Sequence, residues 1–365
     1  MQKGLTLIEL AEKITAQSEL KQDFIAETTS LTMQVPPAEG EATRVPVLEI
    51  PNQGNFPILP IAHGQIGGKT GIPAKYYDRM LKEEPDLLAM NVNTWFRRDL
   101  ERNGEPKKRM VRTLGGDTRA FLSNRYQRIE NEQIAEAILP VLMQENDMEI
   151  FSCEVTDTRM YIHATFPRLQ AEVEGSARVG DVVQAGVLVK NSEVGRGTFV
   201  VQPWILELWC SNGCAHEIGK LSKRHLGRQQ SEEGLLVNFG DDTKEAQDKA
   251  LMLEARDTVT ACLDEAIFMK TVEHMSQLTQ AKIEGDPSKA IEVLSNRIGT
   301  TEAEKGGILR SLIEGGDLSA WGLLNAVTVQ AHTVESYDRA VELETIGGQL
   351  LELPKQAWEE VLQAA

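Results

Sequence analysis

Two cysteines and a histidine near the middle of the chain have the residue types of a metal site. Cys210, Cys214 and His216 lie within the string WCSNGCAH and offer two thiolates and an imidazole. A zinc site of this kind usually has a Cys-x-x-Cys pair and a second ligand pair, whereas three residues separate these cysteines and His225 is the nearest further candidate. The alternative is a structural turn, because Asn212-Gly213 is a strong turn dipeptide. We therefore keep a metal-dependent enzyme as the third hypothesis and expect neither cofactor nor catalytic residues.

The string GQIGGKTG at residues 64–71 suggests a phosphate-binding loop. That motif needs four residues between its first glycine and the Gly-Lys pair, but only three separate Gly64 from Gly68-Lys69. Ile72-Pro73 would also interrupt the helix that donates backbone amides to phosphate. The spacing therefore favours a plain glycine turn.

Two groups of basic residues are the better candidates for function. Residues 90–130 contain ten basic and five acidic side chains. Cationic side chains that follow a phosphate backbone, with aromatic faces for bases, are typical of proteins that bind single strands. The predicted phosphate contacts of this first group are Arg97, Arg98, Lys107, Lys108, Arg109, Arg112 and Arg119. Arg125 and Arg128 are further predicted nucleic-acid-binding residues, and Tyr126 or Trp95 would stack on bases. A second group, Arg196, Lys220, Lys223 and Arg224, would extend the same track.

The net charge of −17 opposes nucleic-acid binding at first sight, but the charge is unevenly distributed. Residues 231–365 carry 25 acidic and 11 basic side chains, so most of the excess lies in the last third of the chain. A local basic surface still steers a polyanion. No long apolar run and no signal peptide is evident, and four cysteines are too few for a disulfide framework, so we expect a cytoplasmic protein with no membrane segment.

The pattern of apolar residues predicts an α+β fold with a central antiparallel β-meander. Four strands are expected within residues 149–210, with Pro203 at an edge or a bulge. RMVRTL and TRAFLSN form a predicted hairpin around Gly115-Gly116-Asp117. The length of 365 residues favours several units, which we place at 1–75 (a helix at 5–20, a strand at 23–34 and an extended Pro/Gly-rich segment at 35–73), 76–240 (the α+β core) and 241–365 (acidic helices).

Helices are expected after Pro73, around Ile134 and Ile138, and through the C-terminal region. We predict one long helix from Asp241 to Glu284 and another from Trp321 to Leu343. Thr301 followed by Glu304 indicates a capping box.

Several strings together resemble a prokaryotic phage- and plasmid-like family that carries the domain of unknown function numbered 932. They span roughly residues 60–345 and include IPAKYYDRM, RTLGGDTRAFLSNRYQRIEN, NSEVGRGTFVVQPWILELWCSNGC and WGLLNAVTVQAH. This resemblance implies an origin on a mobile genetic element and transfers no catalytic residue. The expected order of meander, basic hairpin and long helix is also similar to the core of single-strand annealing proteins, which form rings on DNA, although a fold does not fix a function.

The leading hypothesis is a phage or plasmid DNA-metabolism protein that binds single-stranded DNA as a homo-oligomer, in annealing or recombination. The alternative is a protein-binding module whose acidic C-terminal region contacts a host factor or inhibits a defence system. Both hypotheses start from charge, and they differ in which surface contacts the partner.

Overall fold

The computed structural model describes residues 4–37, 44–209, 211–216, 219–225 and 241–364. Within them the chain has the predicted α+β fold, with antiparallel sheets and a helical C-terminal region. The helices are α1 (Leu7–Leu20), α2 (Pro60–Thr70), α3 (Ala74–Glu83), α4 (Pro85–Phe96), α5 (Asn131–Leu142), α6 (Asp241–Ala261), α7 (Glu265–Gln280), α8 (Pro287–Ile298), α9 (Glu302–Gly315), α10 (Ala320–Val329), α11 (Tyr337–Leu351) and α12 (Lys355–Leu362). None of the described helices has the length and apolar character needed to cross a membrane.

Within the described residues, the strands form three antiparallel sheets. They are β1 (Lys21–Glu27), β2 (Thr32–Gln34), β3 (Val47–Ile50), β4 (Gly54–Pro57), β5 (Lys108–Leu114), β6 (Asp117–Ser123), β7 (Glu149–Val155), β8 (Met160–Glu172), β9 (Val182–Asn191), β10 (Phe199–Glu207), β11 (Asn212–Ala215) and β12 (Leu221–Lys223). The sheet orders are β1-β5-β6, β2-β3-β4 and β11-β10-β9-β8-β7, with β12 also paired to β10. The large sheet contains the predicted four-strand meander, and the β5–β6 pair is the predicted hairpin.

Pro203 lies inside β10 opposite Val187 of β9, so the prediction of an edge or bulge position is wrong. On the other side of β10, β12 pairs with residues 199–201 and β11 pairs with residues 204–207. Pro203 lies in the gap between them, where its carbonyl accepts a hydrogen bond from the backbone N–H of His216 at 3.1 Å. The missing N–H of proline is tolerated there because neither neighbouring strand needs it.

Residues 35–73 differ most from the prediction of an extended segment, because they contain β3, β4 and α2. Pro60 occupies the first turn of α2, where proline fits, and Gly71 ends the helix with a positive φ of 71°. The glycine-rich string is therefore helical over most of its length. Gly67 suits this position because a Cβ would lie 3.0 Å from the buried ring of Tyr77, which is a tight contact. The predicted strand at 23–34 is likewise divided into β1 and β2 by a 3-10 turn.

Helices cover both faces of the large sheet. On one face, α1, α5 and α6 share an apolar core with β7–β10, centred on residues such as Leu10, Ile138 and Ile162. The opposite face carries Leu188, Trp204 and Leu206, which share a small apolar cluster with Val341 of α11. Helices α7–α12 form a further core that includes Trp321 and Leu343. Both predicted long helices are interrupted, since α7 begins after the N-cap Asp264 and a 3-10 turn separates α10 from α11. The predicted capping box at the start of α9 is confirmed.

Packing between the predicted units crosses both domain boundaries. Strand β1, in the predicted unit 1–75, pairs along its whole length with β5 of the unit 76–240. Helices α6, α7 and α11, in the predicted unit 241–365, pack on strands of the large sheet. The three-unit division stays a prediction, but each of its boundaries is crossed by extensive packing.

Candidate nucleic-acid interface

Arg112 lies at the centre of a buried group of charges. Its side chain is only 1 % exposed. The Nε atom donates to Asp23 at 2.8 Å, Nη1 donates to the backbone oxygen of Glu193 at 2.9 Å, and Nη2 donates to Glu130. Burial alone would lower the pKa of Arg112, but the carboxylates of Glu130 and Asp23 outweigh burial and raise it. Arg112 is therefore charged, neutralised within the protein and out of reach of a phosphate.

Glu193 extends this group toward a second buried arginine. Its Oε2 accepts a hydrogen bond from Nη1 of Arg119 at 2.9 Å, and its Oε1 accepts one from Lys21. Burial would raise the pKa of Glu193, whereas Lys21 and Arg119 lower it to about 2. We call Lys21, Asp23, Arg112, Arg119, Glu130 and Glu193 the buried charge cluster. The predicted phosphate contacts at Arg112 and Arg119 are corrected by this geometry, because both guanidinium groups are buried and ion-paired.

Tyr126 also makes contacts within the protein through both its hydroxyl and its ring. Its hydroxyl donates to the backbone oxygen of Ser192 at 2.7 Å, and its ring stacks on His225 with centroids 4.9 Å apart and planes 3° apart. The pKa of Tyr126 is raised, mainly because the residue is buried. The predicted stacking of a base on Tyr126 is therefore not available on the face that His225 covers.

Lys107 and Arg109 share one carboxylate. Asp99 accepts from Lys107 Nζ and from Arg109 Nη2, each at 2.8 Å. Burial would raise the pKa of Asp99, but these two cations lower it. Beside this triad lies a shallow cavity of about 80 Å³, and its wall includes Lys69 and Arg98. One carboxylate offsets only one of the two positive charges, so this triad keeps a net positive charge although both cations have a partner.

Trp95 is the aromatic residue of this patch that a base can reach. It lies in the last turn of α4 and is 45 % exposed, and the guanidinium carbon of Arg98 lies 5.9 Å from its ring centroid. An exposed ring next to an arginine suits both stacking and a cation–π contact. Of the two predicted stacking residues, Trp95 therefore stays the better candidate for contact with a base.

The fold brings the two basic groups together although they lie far apart in sequence. The stack of Tyr126 on His225 places their neighbours Arg125 and Arg224 on adjoining backbone segments. Backbone pairing puts Lys223 opposite Phe199, three residues beyond Arg196. A Cβ on Gly195 would lie 3.7 Å from the ring of Tyr126, so the 191–197 loop lies against the same stack.

The first group reaches this junction through the β5–β6 hairpin. Arg109 pairs with Ser123, so Arg125 lies just beyond the same end of the hairpin as Lys108. On the described part of the chain, no carboxylate forms an ion pair with the following predicted contacts, all at least partly exposed: Arg97, Arg98, Lys108, Arg125, Arg196, Lys223 and Arg224. Arg128 is 57 % exposed and pairs with Asp23 at 3.3 Å, and Lys220 has a partner of its own. We call the seven predicted contacts that form no ion pair with a described carboxylate, together with Lys69 and Trp95, the basic track.

The cysteine–histidine string is built into the sheet and its helical cover. Cys214 lies in β11, and burial raises the pKa of its thiol. His216 contacts Thr271 at 3.2 Å and Glu352 at 3.3 Å, and burial lowers its pKa. Cys210 lies outside the described residues. Across the described residues, no three His, Cys, Asp or Glu side chains gather where they could hold a metal ion.

Sequence reasoning missed the acidic partners of the basic residues. Asp23, Glu130 and Glu193 come from three separate segments, and Asp99 was counted only as local negative charge. Two of them stand in the family-like strings, Glu130 in RIEN and Glu193 in NSEVG. In each of these two strings, the glutamate was the one sequence feature that indicated an ion pair inside the protein.

Comparison with known proteins found no counterpart: no family model, no curated protein and no solved structure matches this chain. The resemblance to the phage- and plasmid-like family, and the architectural similarity to single-strand annealing proteins, therefore stay predictions.

Proposed function

We propose that this protein binds single-stranded nucleic acid, with DNA as the expected form, along the basic track. The ligand backbone runs from the Lys69–Arg98 cavity past Lys108 to the junction of Arg125, Arg196 and Arg224. Trp95 offers a face for one base at the first end. No cofactor takes part in this binding.

The observation that carries the proposal is the meeting of two basic segments about one hundred residues apart at the Tyr126–His225 stack. A scattered set of surface cations would not follow a phosphate backbone, whereas a line of them does. The cations of this line form no ion pair with described carboxylates, so their charge is not already offset within the protein.

The surface of α2 supports the same path. Gly64 and Gly68 are exposed and one helical turn apart, and a Cβ on Gly68 would meet nothing within 4 Å. Nη2 of Arg196 lies 3.4 Å from the position of a Cβ on Gly64, and Lys69 follows Gly68 at the other end. This stretch of helix therefore presents no side chain between two cationic positions, and a chain of sugars and phosphates can approach it closely.

Fluorescence anisotropy with a labelled oligonucleotide tests the proposal. Single-strand binding releases counterions, so the logarithm of the affinity should fall linearly with the logarithm of salt concentration. If five to seven cations contact phosphates, the slope is about −3.5 to −5. An RNA oligonucleotide of the same sequence, measured in parallel, determines which nucleic acid binds more tightly.

A triple variant locates the binding surface. Arg196→Glu, Lys223→Glu and Arg224→Glu together should weaken binding by at least about a hundredfold and flatten the salt slope by about 2, since three phosphate contacts disappear. The matched control reverses Lys270, Lys289 and Lys355, which are exposed on α7, α8 and α12 and change the net charge equally. Equal affinities of the two triple variants would refute the proposed surface.

A further inference from the structure

One end of the basic track concentrates positive charge around a small cavity. Lys69 and Arg98 line this cavity together with Asp99, the carboxylate that Lys107 and Arg109 share. Burial lowers the pKa of Lys69, nearby Arg109 and Lys107 lower it further, and Asp99 raises it. Four cations therefore surround one carboxylate, which leaves a local charge of +3. An anion bound here would relieve the repulsion between the cations.

Lys69 and Arg98 have donors that a ligand can reach. Both residues are exposed, and within the part of the chain that the structure describes neither side chain forms a hydrogen bond or an ion pair. The one contact of Arg98 is with the ring of Trp95, which also lines the cavity. An anion that enters the cavity therefore meets two cations whose charge no carboxylate has taken up.

The cavity has room for one small group. Its volume is about 80 Å³, well below the roughly 300 Å³ at which pockets for whole small molecules begin. A phosphate group fits this space and a nucleoside does not. The base of the same nucleotide can lie outside the cavity on the exposed ring of Trp95.

The basic track ends at this cavity. Beyond Asp99 the chain forms a loop over residues 100–106, and the backbone N–H of Lys107 closes it by donating to the Asp99 oxygen at 3.0 Å. The loop carries the exposed carboxylates Glu101 and Glu105 and one cation, Arg102, so its net charge is negative. A phosphate backbone is not attracted past this point. The part of a bound strand that reaches the cavity is therefore its end.

A phosphate at the end of a strand differs in charge from one inside the strand. A phosphomonoester carries about −1.5 to −2 at neutral pH and has three free oxygens, whereas an internal diester carries one negative charge and has two. The ammonium of Lys69 and the guanidinium of Arg98 supply several donors to such oxygens. The excess of cations at the cavity therefore suits a monoester better than a diester.

We propose that the cavity at Lys69 and Arg98 binds the terminal phosphomonoester of a nucleic-acid strand, with the adjacent base on Trp95. This site rests on the proposed function, because the rest of the strand is held along the basic track. It gives the protein a preference for strands that end in phosphate over strands that end in hydroxyl. The phosphate comes from either the 5′ or the 3′ end, and the experiment distinguishes these two sources.

Fluorescence anisotropy with three forms of one internally labelled oligonucleotide tests the site. The oligonucleotide has about eight nucleotides, so that its ends matter, and it carries a 5′-phosphate, a 3′-phosphate or hydroxyl groups at both ends. We expect one phosphorylated form to bind about threefold to tenfold more tightly than the hydroxyl form, as one or two additional exposed ion pairs would give. Equal affinities of the three forms would overturn the terminal site and leave the proposed function standing. Absence of binding by all three forms would refute both.

Two double variants locate the preference. Lys69→Gln with Arg98→Gln should bring the affinity ratio of phosphorylated to hydroxyl strands close to one, because both cations of the cavity are removed. Lys223→Gln with Arg224→Gln is the matched control, since it removes one exposed lysine and one exposed arginine from the second basic group. The control should weaken binding of all three forms by a similar factor and keep their ratio. A ratio that survives in the first double variant would show that the terminal phosphate binds elsewhere.

Discussion

Replacing Arg112 by methionine should be among the most destabilising single changes in this protein. The substitution keeps much of the side-chain volume but leaves Asp23 and Glu130, with side chains 14 % and 21 % exposed, without their shared partner. It also removes the donor to the backbone oxygen of Glu193. Breaking a buried ion pair from one side costs about 3–5 kcal/mol, because the remaining charge is uncompensated.

The expected fall in melting temperature follows from the size of the chain. An unfolding entropy of about 2.1 cal/mol/K per residue gives about 0.8 kcal/mol/K for this length, so the loss corresponds to about 4–6 °C. Differential scanning calorimetry at neutral pH measures it. Arg128→Met is the matched control, because Arg128 contacts the same Asp23 at 3.3 Å but is 57 % exposed. Its cost should stay below about 1 kcal/mol, or about 1 °C.

Equal losses in the two variants would refute this reasoning, since they would mean that burial of the ion pairs carries no energetic weight. The variant Arg112→Lys separates charge from geometry. A lysine keeps the charge but lacks the planar fork that reaches three acceptors at once, so its melting temperature should lie between those of wild type and Arg112→Met.

Three further predictions follow from other parts of the structure. Glu193 has a folded-state pKa of about 2 against an ordinary 4.5, so it stabilises the fold above pH 4.5 and this contribution is lost as the pH falls toward 2; the difference in melting temperature between wild type and Glu193→Gln should therefore shrink over that range. Burial lowers the pKa of His225 to about 4 from an ordinary 6.5, so its ring should be neutral in the folded protein at pH 6 and its contribution to stability should fall from pH 6.5 to pH 4. An NMR titration of the ring measures the pKa, and melting curves of wild type and His225→Gln measure the change in stability. Gly348→Ala should destabilise the protein by about 2 kcal/mol or more, because its Cβ would lie 1.9 Å from the backbone oxygen of Ala215, whereas Gly306→Ala in α9, with nothing within 4 Å, should stabilise it by up to about 1 kcal/mol in urea denaturation.

The sequence predicts those parts of the fold that depend on local patterns. The four strands β7–β10, the glycine turn of the β5–β6 hairpin and the Thr301 capping box are all indicated within short windows of sequence, and the structure confirms them. Helix α2 was missed because its glycines and prolines disfavour a helix locally. Packing of Gly67 against Tyr77 overrides that propensity, and only the folded chain brings this contact about.

The long C-terminal helices were predicted as continuous because their apolar stripe continues across the interruptions. The N-cap residues Asp264 and Ser336 mark new helix starts, and their side chains accept from the backbone N–H groups of Ile267 and Arg339. An aspartate or serine at a helix start can be recognised in the sequence, but the spacing of apolar residues alone does not show where one helix ends and the next begins.

The candidate site was predictable only as a set of cations. Which of them face solvent depends on carboxylates that arrive from distant segments, such as Glu193, which is 74 residues from Arg119. Composition within a window gives net charge, and net charge does not distinguish an exposed arginine from one that is neutralised inside the protein. The distinction between Arg112 and Arg125 needed the sheet pairing of β1, β5 and β6.

The buried charge cluster also sets an order of events during synthesis. Its positive members Lys21, Arg112 and Arg119 leave the ribosome long before Glu193, the carboxylate that contacts two of them. A nascent chain that has emerged only to the end of the β5–β6 hairpin already contains Asp23, which pairs with Arg112, but it lacks the glutamates that pair with Lys21 and Arg119. Those two cations therefore resist desolvation at that stage. The native packing around Lys21 and Arg119 in the β1-β5-β6 sheet therefore requires Glu193 in the loop after β9, a segment that the ribosome delivers later.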